Sequence, residues 1–130
     1  MCDCTLKIFT ESGGESSLFR SSGVFEKTNA GERVRYQIEG DEGELLLSDT
    51  LFEMRRFGKC GLKATFIEGE RTEMLLGDTT LHGSIPINTT RYHLQQEHSK
   101  REIELCYELF AAEQIQKFSL KIQLFFSEEK

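Results

Sequence analysis

The sequence contains a single proline and no apolar run longer than four residues. A helix that crosses a bilayer needs about 20 consecutive apolar residues, so we predict no membrane-spanning helix. The start, Met1-Cys2-Asp3-Cys4, also lacks the basic cluster and apolar stretch of a secretory signal. We therefore expect a cytoplasmic protein that does not contact membranes.

An excess of basic residues is also missing. The chain has 16 Lys and Arg against 22 Asp and Glu, which gives a net charge of −6. Nucleic-acid-binding domains usually carry a basic patch, so we expect no nucleic-acid partner. Leu, Ile, Val and Phe make up 27% of the 130 residues, above the roughly 20% below which chains tend to be disordered. The length and composition predict one folded domain over residues 1–130.

Signatures of metal sites and catalytic sites are absent as well. The four cysteines include one Cys-x-Cys pair, but zinc sites use wider spacing and a second pair of ligands. In a chain without a signal we expect free thiols. The sequence shows no nucleophile elbow, no phosphate-binding glycine loop and no histidine spacing that suggests a shared metal. We expect no metal, no cofactor and no enzymatic activity.

The eleven glycines fall at fairly even intervals and separate short segments of alternating polarity. The clearest segment is the last, where every second residue from Phe118 to Phe126 is apolar. Period-two alternation predicts a strand with one buried face. On this basis we predict about ten strands, near residues 5–10, 17–27, 32–39, 43–49, 51–57, 61–67, 70–78, 82–93, 101–110 and 116–126.

The segment 101–117 is ambiguous because it is rich in helix-forming residues. Ile103, Leu105, Tyr107 and Leu109 nevertheless alternate as in a strand, and the adjacent last strand needs a neighbour. We favour a strand to about Phe110, and leave a helical turn as the alternative.

Nearly all predicted connections are short, which implies antiparallel neighbours. A meander of eight or more strands closes on itself or splits into two sheets, because open edges invite association. We predict an all-β fold, a single antiparallel up-and-down barrel of about 8–10 strands.

Five stretches carry a resemblance to a known family. They are Glu44–Leu47, Phe52–Gly58 with an Arg-x-Gly motif, Leu62–Gly69, Gly77–Gly83 and Ile85–Thr89. This sequence resembles the YwiB-like family of small bacterial β-barrels over about residues 5–126. It departs from the family at Leu76-Gly77-Asp78, where Tyr-x-Thr is frequent. The resemblance implies a lipocalin-like, calycin-type fold and no established activity or site.

Arginines are the candidate ligand-binding residues. Arg55 and Arg56 lie in the middle of a strand-like run, so one of them must point toward the apolar side. Arg91 lies in another strand. An arginine inside a barrel needs a carboxylate or an anionic ligand beside it. Arg55 or Arg56 either lies at a barrel mouth or pairs with a carboxylate, Glu53 or Glu73, or it anchors a small anion or a carboxylate head group.

We therefore expect a non-enzymatic barrel that binds a small amphipathic or anionic ligand. The alternative is a structural or protein-interaction module with a filled interior, for example a homodimer through a strand edge. A weaker third option is a hydrolase or isomerase with its site in the barrel. A barrel packed with the ten Phe residues would favour the interaction module.

Overall fold

A computed structural model describes residues 2–58, 61–77, 82–111 and 113–126 of the chain. Within these ranges no helix is long and apolar enough to cross a bilayer. The described residues form ten strands: β1 (Cys2–Ser12), β2 (Glu15–Thr28), β3 (Gly31–Ile38), β4 (Asp41–Leu47), β5 (Phe52–Phe57), β6 (Gly61–Phe66), β7 (Arg71–Gly77), β8 (His82–Gln96), β9 (Lys100–Ala111) and β10 (Gln114–Phe126).

The ten strands close into one antiparallel barrel in which each strand pairs with its neighbours in sequence and β1 pairs with β10. This confirms the predicted all-β, up-and-down barrel, and each strand lies within a few residues of its predicted position. The ambiguous segment is strand on both sides of its turn. Its cross-strand pairing with β10 outweighs the helix propensity of its residues, since tertiary context routinely overrides propensity.

Alternation along each strand decides what lies inside the barrel. In β10, Leu120, Ile122 and Leu124 face the interior and are buried. Ile122 lies opposite Ile8 of β1 and Ile103 of β9, both also buried. Period two therefore gives the barrel a continuous apolar interior.

Aromatic side chains form a connected part of this interior. Tyr92, Phe52, Phe66, Tyr107 and Phe118 form an aromatic column in which successive ring centroids lie 6.1, 5.9, 4.8 and 5.1 Å apart. These spacings are those of directly packed rings. The middle of the barrel is thus occupied by side chains.

The barrel end that holds the β2–β3, β4–β5, β6–β7 and β8–β9 turns is closed by an ion pair, and we call it the plugged end. Arg101 of β9 reaches across to Glu32 of β3 with Nε–Oε1 and Nη2–Oε2 distances of 2.9 and 3.0 Å. Both side chains are only about a tenth exposed. The guanidinium also stacks on Phe25 and Phe126, whose centroids lie 5.7 and 5.0 Å away. A second cross-link joins Tyr92 of β8 to the β4–β5 turn, where the Tyr92 hydroxyl donates a hydrogen bond to the Ser48 carbonyl at 2.6 Å.

The opposite end of the barrel, which holds the β1–β2 and β3–β4 turns, is built differently, and we call it the hairpin end. Strand β2 pairs with β1 from Glu15 to Phe25. It pairs with β3 only from Gly23 to Thr28. The β1–β2 hairpin therefore extends beyond the point where β3 leaves it.

Candidate functional site

The departure of β3 leaves one side of β2 without a strand neighbour. Over Glu15–Ser22, which we call the free edge, β2 pairs with β1 on one side, and none of the described strands pairs with the other side. One side-chain link remains, from the Ser21 hydroxyl to the Gln37 carbonyl at 3.3 Å. An unpaired strand edge presents backbone donors and acceptors that can pair with another chain.

The turn between β1 and β2 determines which backbone groups point outward. Gly13 and Gly14 have φ angles of 60° and 83°, the left-handed values of a two-residue type I′ turn. The residues flanking such a turn, Ser12 and Glu15, bond to each other. From Glu15 onward, the backbone N–H and C=O groups of every second residue of β2 therefore point toward β1. The backbone groups that point away from β1 belong to Ser16, Leu18, Arg20 and Ser22.

The turn at the other end of β2 gives the same assignment independently. Thr28 pairs with Gly31 around the two-residue connection to β3, so Thr28 bonds toward β3. Because the direction of the backbone groups alternates along a strand, Glu26 and Val24 also bond toward β3. The even-numbered residues of β2 therefore face the β3 side along the whole strand, although β3 is present only beside the last of them.

Exposed apolar side chains and surface grooves surround the free edge. Leu18 is 55% exposed, and Phe9, directly opposite it on β1, is 38% exposed. Both line a groove of about 610 Å³ on the outer face of the hairpin. A second groove of about 690 Å³ lies where β2 parts from β3, with Gly23 and Tyr36 among its lining residues. The hairpin therefore combines unpaired backbone with apolar surface.

Arg55 points to the outer face of the barrel and is surrounded by charge. Its Nη2 lies 3.1 Å from Glu53, and its Nη1 lies 3.6 Å from Glu44. Glu44 also lies 3.7 Å from Arg35, and Glu53 lies 3.5 Å from Lys63. This alternation of charges links β3 through β6 and supplies Arg55 with carboxylate partners from its own chain.

Arg56 points to the barrel mouth at the hairpin end. Its Nε donates to Asp41 at 3.0 Å, and its Nη2 lies 3.4 Å from Glu39. The hydrogen bond to Asp41 raises the pKa of Arg56 further. Gly58, with φ of 135°, lies so close to the Asp41 carboxylate that a Cβ would overlap it. The Arg-x-Gly motif therefore stabilises the β3–β4 turn. Arg56 donates a hydrogen bond to Asp41, and Gly58 leaves space for the Asp41 carboxylate.

Arg91 lies on the outer face of β8, just after a β-bulge between Thr89 and Arg91. Its guanidinium donates to Glu104 of β9 at 2.9 and 3.1 Å and is largely exposed. The structure therefore does not bring the three candidate arginines together. Each arginine has its own carboxylate partners. Arg55 and Arg91 lie on the outer face, on different strands, and Arg56 lies at the barrel mouth.

Three of the four cysteines lie in the part of the chain that the structure describes. Cys2, Cys4 and Cys106 are free, whereas Cys60 lies outside the described residues. Burial raises the pKa of Cys4 to about 11, so its thiol stays protonated at neutral pH. Among the residues that the structure describes, no three His, Cys, Asp or Glu side chains are grouped to hold a metal ion.

The sequence matches the family model described as "Domain of unknown function (DUF1934)" over residues 4–122. The chain belongs to this family. The solved structures include the ywiB protein from Bacillus subtilis, which is 15% identical and superposes with a TM-score of 0.70 over 98% of this chain and 93% of that one. No curated protein matches the chain. The resemblance predicted from the motifs is thus confirmed, and the structural likeness establishes the fold of this DUF1934 member.

Sequence reasoning missed the free edge, although it anticipated a strand edge as the alternative site. The Gly13-Gly14 pair separates the first two predicted strands, and β2 carries serines at positions 16, 17, 21 and 22. These signals predict a strand, but they do not say where its neighbour ends. That point depends on the relative lengths of β2 and β3 in the closed barrel.

Proposed function

We propose that this DUF1934 member is a non-catalytic barrel that binds an extended protein segment along the free edge of β2. The observation that carries this proposal is the loss of β3 as a partner beyond Gly23. Unpaired N–H and C=O groups at Ser16, Leu18 and Arg20 match the repeat of an added antiparallel strand. Strand addition of this kind draws affinity from main-chain hydrogen bonds and specificity from alternate side chains.

The filled interior supports an outer-surface function. The rings of the aromatic column pack against one another inside the barrel, and Arg101 with Glu32 closes the plugged end. Six of the ten Phe side chains pack in or against the core: Phe19, Phe25, Phe52, Phe66, Phe118 and Phe126. A small barrel filled in this way resembles those whose interior serves packing, in contrast to barrels that enclose a ligand.

Edge binding is tested by titrating ¹⁵N-labelled protein with an extended probe peptide of alternating Thr and Val flanked by Lys. We expect amide shifts concentrated at Ser16, Leu18 and Arg20, because these groups gain hydrogen-bond partners. The matched control is the same peptide N-methylated at alternate residues, which cannot donate on the pairing side. Equal shifts with both peptides, or shifts centred on another strand, would refute edge pairing.

A second candidate function is the binding of a small amphipathic ligand in the groove where β2 parts from β3. The groove volume of about 690 Å³ favours this, since ligand sites commonly measure about 300–1,000 Å³. Arg35 lines the groove and is half exposed. It could bind an anionic head group, whereas Arg55, Arg56 and Arg91 do not line the groove.

Displacement of a fluorescent fatty acid tests this second candidate. We expect Arg35→Ala to weaken binding and Arg56→Ala, the matched control, to leave it unchanged. Absence of binding by the wild-type protein, or equal loss in both variants, would rule out the groove as the ligand site.

A further inference from the structure

The chemistry of the free edge identifies its partner. Resting on the proposed edge-binding function, we propose that the occupant of the free edge is a second copy of this chain. Two β2 strands would pair antiparallel about a two-fold axis, with Leu18 opposite Leu18 of the second copy. The register follows from the backbone, the charges and the apolar side chains of the hairpin.

The backbone allows this register without rearrangement. In an antiparallel pair about a two-fold axis perpendicular to the sheet, residues that face each other belong to the same set, odd or even. Ser16, Leu18 and Arg20 all direct their backbone groups outward, as the two turns of β2 show. With Leu18 on the axis, Leu18 forms a hydrogen-bonded pair with its copy, and Ser16 pairs with Arg20 of the second copy on either side.

The charges on the outer face complement each other in this register. Within one chain, Glu11 lies opposite Ser16, and Lys7 lies opposite Arg20. Across the axis, the row containing Glu11 and Ser16 continues into Arg20 and Lys7 of the second copy. The end of one hairpin that carries Glu11 therefore faces the part of the other hairpin that carries Arg20 and Lys7. The two-fold axis repeats this arrangement, so it occurs twice in the dimer. Ser16 lies between Glu11 and Arg20 of the second copy, whose backbones are about 10 Å apart, and this small side chain leaves room for the long guanidinium side chain to approach the carboxylate.

The apolar side chains meet in the central row. Phe9 lies opposite Leu18 within one hairpin, and the two-fold axis brings the same pair from the second copy beside it. Four exposed apolar side chains thus become neighbours. Burial of exposed apolar surface is the general driving force of association.

Neighbouring registers lose one or both of these matches. A shift that places Arg20 opposite Arg20 of the second copy aligns cations, with Lys7 beside them in each chain. A shift that places Leu18 opposite Ser16 separates the two apolar pairs, and one that places Leu18 opposite Arg20 sets apolar against cationic side chains. Like charges directly opposite destabilise a strand pair, so the Leu18-centred register is favoured.

The pairing involves only seven or eight residues of each chain, so the predicted dimer is reversible and concentration-dependent. Small interfaces of this kind belong to the weak, transient class. Sedimentation over a range of concentrations of the full chain measures the monomer–dimer equilibrium directly. We expect wild-type protein to dimerise as the concentration rises.

Two charge variants test the register. Leu18→Lys and Leu18→Glu each place like charges opposite each other on the axis and should weaken dimerisation by at least about tenfold. Mixing the two variants should restore a heterodimer, because Lys and Glu then face each other. Leu75→Lys is the matched control: Leu75 is similarly exposed, but lies on β7, so this variant should dimerise like wild type.

Each outcome decides the proposal. A monomeric wild-type chain at all concentrations, dimers unaffected by both Leu18 variants, or a mixture that stays monomeric would overturn it. The probe-peptide titration separates this failure from failure of the proposed function. A monomeric chain that binds the peptide at Ser16, Leu18 and Arg20 loses only the self-pairing, whereas a chain that does neither loses both.

Discussion

The two ends of the barrel are completed in different ways. At the plugged end, two links cross the opening: the ion pair of Arg101 with Glu32 and the hydrogen bond from Tyr92 to Ser48. Every polar group of the buried ion pair has a partner close by. At the hairpin end, the β1–β2 hairpin extends past β3 and carries unpaired backbone with exposed Leu18. One end is closed by its own side chains, and the other presents groups that a second chain can pair with.

The residues that stabilise the fold and the residues available for association therefore lie in different parts of the barrel. The strand β2 runs through both ends, and its even-numbered residues direct their backbone groups to the same side throughout. Beside Val24, Glu26 and Thr28 that side is occupied by β3, whereas beside Ser16, Leu18 and Arg20 it is not. Substitutions in the core and at the plugged end should therefore affect folding, and those at the free edge should affect association.

The largest effect is expected in the core that the two ends share. Ile122→Asp buries an unpaired charge among Ile8 and Ile103 and should cost more than about 4 kcal/mol, enough to unfold the domain. Lys121→Asp, the adjacent control on the outer face, loses a surface ion pair with Glu102 and should cost about 1 kcal/mol or less. Urea unfolding measures both. Similar losses at 121 and 122 would mean that the strand does not alternate as described.

A smaller effect is expected at the plugged end. Glu32→Ala leaves the buried Arg101 guanidinium without its carboxylate and should cost about 3–5 kcal/mol. Replacing both partners, Glu32→Leu with Arg101→Met, should restore stability to near the wild-type value, because no charge then remains buried. Urea unfolding of both variants gives the two free energies.

The hairpin end supplies the comparison for this ion pair. Asp41→Ala removes the main partner of Arg56, which is 25% exposed, so solvent can replace the lost contact. We expect a much smaller loss than for Glu32→Ala, measured by urea unfolding, because exposed ion pairs contribute little to stability. A loss at Asp41 as large as that at Glu32 would contradict the distinction between the two ends.

Alkaline titration compares the three buried tyrosines. Burial raises the pKa of Tyr92 and of Tyr107 to about 12. Burial also raises the pKa of Tyr36 at the hairpin end, but there the Arg56 charge opposes the shift. We expect Tyr36 to ionise before the other two, as followed by tyrosinate absorbance in single Tyr→Phe variants.

The same shifts predict how stability depends on pH. The folded pKa of Tyr92 lies above the value of about 10 in an unfolded chain, so folding favours the neutral form. The resulting stabilisation is complete below about pH 10 and is lost as pH rises through about 12. Unfolding midpoints that stay constant from pH 9 to pH 12 would contradict the burial of these hydroxyls.

The smallest effect on stability is expected at the free edge. Leu18→Lys replaces an exposed side chain and should change the unfolding free energy of the monomer by no more than about 0.5 kcal/mol. Chemical unfolding at low protein concentration, where the monomer dominates, provides the measurement. A loss of several kcal/mol would show that Leu18 contributes to the core.

The fold could be predicted from the sequence because alternation and turn residues report on local structure. The period-two pattern from Phe118 to Phe126 specified β10, and the short connections specified antiparallel neighbours. The link between Glu32 and Arg101 could not be predicted. These residues are 69 positions apart, and their approach depends on which side chains cross the closed barrel.

The site was harder to predict than the fold for a related reason. The position of Arg55 and Arg56 in an apolar run correctly indicated that one of them faces inward, and Arg56 does so. The run does not contain Asp41, whose carboxylate binds Arg56, so the sequence left the choice between a partner and a ligand open. The free edge likewise follows from where β3 ends relative to β2, which no local pattern encodes.

Amide hydrogen exchange within β2, at low and high protein concentration, tests the central claim most directly. At low concentration we predict fast exchange at Ser16, Leu18 and Arg20 and slow exchange at Val24, Glu26 and Thr28, because only the second group has β3 as a partner. Raising the concentration should slow exchange in the first group and leave the second unchanged. Equal protection of both groups at low concentration, or no change with concentration, would contradict the account.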